Sequence, residues 1–164
     1  MPYTIKSEGI AEISEMLAKL DTAAAGIASQ ALYEGAGILA DTITANAKAI
    51  KTKPFKWAST RRGETRLPSP EEKEIVMNAA IGIAKFEGGG TEVQTSVGLQ
   101  NAGYATLKGK TVPIPKIANA INSGTSFMQK QPFVRKAATS GGKKAVAAMQ
   151  KYVEEAFDAI MNNK

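Results

Sequence analysis

The sequence contains no cysteine and no histidine among its 164 residues. The lack of thiols excludes disulfides, thiol nucleophiles and zinc sites built from cysteine or histidine. The lack of imidazoles excludes histidine general bases, including the Ser-His-Asp arrangement. An enzyme of this composition would have to use carboxylates, lysine, tyrosine or a metal held by oxygen ligands.

Carboxylates and glycine-rich segments therefore remain as the candidates for chemistry. The acids cluster on two predicted helices, at residues 71–74 and 154–158, and nothing in the pattern brings them together. The segments "TSGGKKA" and "EGGGT" do not have the spacing of a phosphate-binding loop. We expect no catalytic residue, no metal and no cofactor, and a carboxylate-dependent enzyme is the third hypothesis for function.

Long apolar runs are also missing. No stretch reaches the roughly 18 apolar residues of a transmembrane helix, so we expect no membrane span. A hydrophobic content of 43% and a charged content of 22% are ordinary for a folded protein. The length predicts a single domain over residues 1–164.

Helical periodicity dominates the first half of the chain. An apolar face repeats over residues 10–20, and after Asp21 an alanine-rich run extends to about residue 47. We interpret these as two N-terminal helices, with Gly35 and Gly37 marking either a kink or a close helix contact. Pro70, followed by acids, predicts the start of another helix.

The second half of the chain changes its period. "IGIAKFE" and "TEVQTSVGL" alternate around a run of glycines and predict a β-hairpin, whereas residues 101–114 resemble a loop. "PKIANAIN" fits either a short helix or a strand. An apolar stripe over 146–160 predicts a final helix that begins near Pro132, with Ser140-Gly141-Gly142 as a candidate interruption. The predicted class is α+β: two N-terminal helices, a small hairpin-based antiparallel sheet, and a long C-terminal helix packed on the sheet.

The segment 48–70 has no periodicity and contains seven cations against one acid, a net charge of +6. We predict a long basic loop that contacts DNA or an acidic partner, or is simply solvated. Two aromatic residues in the loop, Phe55 and Trp57, could stack on bases or anchor a protein interface. The candidate cations are Lys48, Lys51, Lys53, Lys56, Arg61, Arg62 and Arg66.

A second segment, "IANAINSGTSFMQKQPFVRKA", joins an apolar stretch to the last helix. Gly124-Thr125 ends the apolar stretch, and Pro132-Phe133 opens the helix after a linker that holds Phe127 and Met128. One interpretation is an ordinary connecting loop, with Phe127 and Phe133 packed into the core.

These residues also resemble the tail-component, or tail-completion (head–tail joining), proteins of long-tailed bacteriophages. In that family an apolar segment ends in Gly-Thr, and Pro-Phe, an apolar residue and a basic residue or proline then open the C-terminal helix. The hairpin segment resembles the family's hairpin, which ends in Val97-Gly98 here. Asn122-Ser123 departs from the aromatic or acidic residue that commonly precedes Gly-Thr. The matching residues are Ile117, Ala118, Gly124, Thr125, Pro132, Phe133, Val134, Arg135 and Ala137.

The resemblance implies a structural virion protein that forms a ring, commonly of six subunits, at the neck. Its partners would be the head connector or adaptor, the tail tube or tail terminator proteins, and DNA passing through the channel. The protein would reside in the virion, and in the host cytoplasm before assembly. The expected interface residues are Phe55, Trp57, Gly124, Thr125, Phe127, Met128, Pro132, Phe133 and Arg135. The alternative function is a nucleic-acid-binding module that uses the basic loop.

Overall fold

The computed structural model describes residues 8–54, 64–85, 95–100 and 103–162. The chain has the α+β fold predicted from its sequence. Two helices precede the strands, and a long helix closes the chain. In order, the elements are α1 (Glu8–Lys48), α2 (Pro70–Asn78), β1 (Ile81–Ile83), β2 (Val97–Leu99), β3 (Tyr104–Leu107), β4 (Lys110–Pro113), α3 (Ile114–Ser123) and α4 (Phe133–Asn162).

Helix α1 is continuous over 41 residues, so the predicted break at Asp21 is absent. Helix α4 is also continuous, through the Ser-Gly-Gly sequence expected to interrupt it. The two helices pack antiparallel, because Gly141 of α4 lies against Thr42, while Gly35 of α1 lies against Met149. A glycine at each point lets the helices approach closely. Of the two interpretations of Gly35, the close helix contact is therefore the one that the structure shows.

Two antiparallel hairpins provide the strands. β1 pairs with β2 in the register Ile83↔Val97, as the alternating sequence predicted. β3 pairs with β4 around Lys108-Gly109, where both residues have a positive φ. This is the geometry of a two-residue type I′ turn, and it shows that the loop expected over 101–114 is a hairpin.

The core forms where the C-terminal end of α1 meets α3 and the first turns of α4. Ile121 of α3 is fully buried there, and the strands β1, β2, β3 and β4 contribute partly buried residues that cover the cluster. Phe133 joins the same cluster, so the start of α4 is fixed to the core while the rest of α4 follows α1. The buried members are Ile43, Ala47, Ile50, Val76, Ile117, Ala118, Ile121, Met128, Phe133 and Ala137.

Among the helices that the structure describes, none combines the length and the apolar character that crossing a bilayer requires.

Candidate functional site

The linker over residues 124–132 begins with a tight turn that Gly124 and Thr125 build. Gly124 has a φ of 78°, and its amide donates to the carbonyl of Ala120 at 3.0 Å, which ends α3. A Cβ at Gly124 would lie 3.0 to 3.2 Å from Lys130, so both the backbone angle and the space favour glycine. The Thr125 hydroxyl then accepts a hydrogen bond from the Met128 amide at 3.0 Å. The Gly-Thr pair therefore reverses the chain and fixes the next three residues.

This turn points two neighbouring apolar side chains in opposite directions. Met128 is 3% exposed and packs in the core, whereas Phe127 is 58% exposed. Met128 thus holds the linker to the domain, and Phe127 is left on the surface on a backbone that hydrogen bonds restrain.

The linker also holds both ends of the basic loop. The amide of Arg66 donates to the Phe127 carbonyl at 2.9 Å, and the amide of Gln129 donates to the Arg66 carbonyl at 2.7 Å, a parallel bridge. On the other side, the Gln131 side chain accepts from the Lys51 amide at 2.8 Å and donates to the Lys51 carbonyl at 2.7 Å. Loop and linker therefore form one unit, which we call the loop–linker junction.

Arg66 and Glu72 stabilise this junction through a two-pronged ion pair. The guanidinium nitrogens lie 2.6 and 2.7 Å from the carboxylate oxygens, and Glu72 is only 5% exposed. Burial alone would raise the pKa of Glu72, but hydrogen bonds from Arg66 and from Ser69 outweigh burial and lower it. Glu72 also accepts from the Ser69 amide at 2.7 Å, completing a capping box at the start of α2.

Polar groups from two other helices fix the start of α4. The Pro132 carbonyl accepts from the Lys136 amide at 3.0 Å, which places Pro132 at the beginning of the helix as expected. The Asn122 side chain accepts from the Val134 amide at 3.1 Å, and Asn46 donates to the Phe133 carbonyl at 3.2 Å. Asn122, where the chain departs from the family pattern, therefore caps α4.

The structure separates the expected interface residues into two groups. Phe127, Thr125 and Arg135 are exposed, and Gly124 and Pro132 are half-buried. Met128 and Phe133 are buried in the core of the same chain, so their role is to position the linker and α4 rather than to contact a partner. The expectations for Phe55 and Trp57 fall outside the described residues.

The expected cations of the basic loop also divide. Lys48, Lys51 and Lys53 are exposed, whereas Arg66 is engaged with Glu72. Lys56, Arg61 and Arg62 lie outside the described residues. The sequence analysis missed Lys130, an exposed residue that directly precedes Gln131, whose side chain binds the Lys51 backbone. Nothing in the sequence marks Lys130, because it is one lysine next to a glutamine in a segment without periodicity.

An apolar groove lies near this region. It has a volume of about 310 Å³ and runs between α1, α4 and β2, with Leu39, Val97 and Val134 among its walls. Within the ranges that the structure describes, no three acids come together in a way that could hold a metal ion.

Comparisons with protein-family models, with curated proteins and with solved structures give no significant match to this chain.

Proposed function

We propose that this chain is a structural protein of the virion of a tailed bacteriophage, which forms a ring at the head–tail junction and docks the tail to the head connector. The proposal rests on the resemblance of residues 81–99 and 117–137 to tail-completion proteins. The protein acts through shape-matched contacts and performs no bond chemistry.

The observation that carries the proposal is the exposed position of the Phe127 side chain on a restrained backbone. The Phe127 side chain is 58% exposed to water, and hydrogen bonds on both sides of it restrain its backbone. Rigid exposed aromatics are typical anchors at the centre of protein interfaces. A ring needs such anchors, because each subunit presents one surface to a different surface of its neighbour.

Assembly with variant chains tests this function. Replacing Phe127 and Trp57 with alanine should abolish ring formation on the connector, as seen by electron microscopy of particles, while circular dichroism shows an intact fold. Tyr104→Ala is the matched control, because Tyr104 is an exposed aromatic on β3 and belongs neither to the linker nor to the basic loop. Normal particles from the double variant would contradict the anchor role, and a chain that never joins particles would contradict the proposed function.

The second candidate is a nucleic-acid-binding module. The exposed Lys51 and Lys53, together with the exposed Lys130 of the linker, favour contact with a phosphate backbone. Binding to duplex or single-stranded DNA should then weaken steeply with salt and be lost when Lys51, Lys53, Arg61 and Arg62 are neutralised. Such binding without any assembly into particles would favour this alternative.

A further inference from the structure

The two ends of the molecule carry opposite charges. Residues 8–34 and 146–162, at one end of the α1–α4 pair, contain eight acids and two lysines. Residues 48–54, 64–78 and 130–136, at the other end, contain eight cations and four acids, and one of these acids, Glu72, is paired with Arg66. From Arg135 to Asp158 the continuous helix α4 rises by about 35 Å. The chain cannot bend to bring these groups together.

The acidic end carries a stripe of exposed residues on α4, which we call the acidic stripe: Glu154, Phe157, Asp158 and Met161. Their spacing of three and four residues places them on one face of the helix. Phe157 is 43% exposed and Met161 is 46% exposed. No described residue of α4 beyond Ala145 is buried, so this half of the helix leaves apolar surface to water within a single chain.

The basic end carries a patch of matching character, which we call the linker patch: Phe127, Lys130 and Lys51. The two hydrogen bonds between Gln131 and the Lys51 backbone join the two segments that carry these exposed lysines. Within the described ranges, neither these lysines nor Glu154 and Asp158 form an ion pair. Each surface therefore combines an exposed aromatic with unpaired charges, and the signs of the charges are opposite.

We propose that the acidic stripe of one subunit docks on the linker patch of a second copy of this chain. The inference rests on the proposed ring and assigns the two surfaces that form its repeated contact. A head-to-tail contact of this kind uses both surfaces of every subunit, and it closes into a ring when the rotation between neighbours allows. Complementary charges select this pairing over stripe-to-stripe and patch-to-patch contacts.

A nucleic acid would satisfy the linker patch but would leave the acidic stripe without a partner. A second copy satisfies both surfaces and their apolar members together. For this reason the observations favour a copy of the chain, and nucleic acid becomes an outcome of the test.

A charge-swap experiment tests the pairing. The patch variant carries Lys51→Glu and Lys130→Glu, and the stripe variant carries Glu154→Lys and Asp158→Lys. Lys110→Glu with Lys116→Glu is the matched control, because both lysines are exposed and lie on β4 and α3. Self-association of the full chain is followed by sedimentation velocity up to about millimolar protein. The runs use about 10 mM salt, where the Debye length is about 30 Å.

The wild-type chain and the control should associate, and each reversed variant alone should associate at least about tenfold more weakly. Mixing the two variants should restore association, because every contact then joins opposite charges. High salt, about 1 M, should weaken wild-type association.

A wild-type chain that stays monomeric throughout, or reversed variants that associate normally, would overturn the inference. A mixture of the two variants that does not regain association would also overturn it. If, in addition, the wild-type chain binds DNA and the patch variant does not, the linker patch is a nucleic-acid surface. None of these outcomes removes the proposed ring, which the particle assay with Phe127 tests separately.

Discussion

Glu72 is a buried acid whose negative charge depends on neighbours six and three residues before it in the chain. Arg66 supplies two hydrogen bonds, and the Ser69 backbone supplies another. The Arg66 contact follows from no helical or strand spacing, because Arg66 lies in the basic loop, whereas Ser69 and Glu72 have the spacing of a capping box. Sequence patterns therefore placed Glu72 on a helix but gave no sign that it closes the junction.

The lowered pKa of Glu72 makes stability depend on pH in one direction. A carboxyl whose pKa is lower in the folded state stabilises the fold above the unfolded value of about 4.5. That contribution is lost as pH falls through the folded pKa. Glu72→Gln should cost about 2–3 kcal/mol at neutral pH, because it leaves Arg66 without its charge partner. The difference in unfolding free energy between wild type and Glu72→Gln, measured by urea unfolding at a series of pH values, should shrink as the pH falls below about 4.5.

The matched control for this prediction is Glu74→Gln, since Glu74 is exposed on the same helix. Its unfolding free energy should stay near that of wild type. A constant gap between wild type and Glu72→Gln across the acid range would contradict the assigned cause of the pH dependence.

At the scale of elements, adjacent glycines of α4 have different surroundings. A Cβ at Gly141 would meet the Thr42 hydroxyl at 3.0 Å and Leu39 at 3.3 Å, while a Cβ at Gly142 would meet nothing within 4 Å. Gly141→Leu should lower the free energy of unfolding by about 1–3 kcal/mol, because it forces α1 and α4 apart. Gly142→Ala should raise it by about 0.5–1 kcal/mol through helix propensity. Thermal and urea unfolding of the pair would check both signs.

This pair also shows why some element boundaries were not predictable from the sequence. Ser-Gly-Gly looks like an interruption, yet the close contact with Thr42 gives Gly141 a place inside a continuous helix. Asp21 looks like a cap, but neither proline nor glycine stands beside it, and α1 continues through it. At Ser140-Gly141-Gly142, packing between α1 and α4 outweighs the low helix propensity of glycine.

The strands were predictable where alternation was clear and missed where it was short. The β1–β2 pairing followed from the alternating residues before and after the glycine run. For β3 and β4, strands of only four residues gave too little periodicity, although Lys108-Gly109 is a recognisable turn signal. The exposed position of Phe127 and the burial of Met128 depend on the Thr125 turn, and no periodicity distinguishes those neighbours.

At the scale of the whole molecule, burial is concentrated at one end. The core gathers α3, the end of α1 and the start of α4, whereas the second half of α4 has no described buried residue. Hydrogen–deuterium exchange should therefore be slowest at 43–47 and 117–121, and faster over 146–160 by about tenfold or more. Uniform protection along α4 would contradict this division of stability.

The same measurement connects the fold with assembly. Under conditions in which subunits associate, protection over 154–161 should rise while protection at 117–121 stays constant. Because the core does not change, a rise confined to the second half of α4 would report contact with a neighbour rather than general stabilisation.

The double hydrogen bond between Gln131 and Lys51 has a mechanical consequence. Tension applied to the tip of the basic loop reaches the folded body at Lys51 and at Arg66, and both points are tied to the linker. The force is then shared by the two ends of the loop, because both are hydrogen-bonded to the same short linker before α4. A pull on the loop would thus load a corner of the fold that is held at two points, and would not peel one end of the loop away from the body.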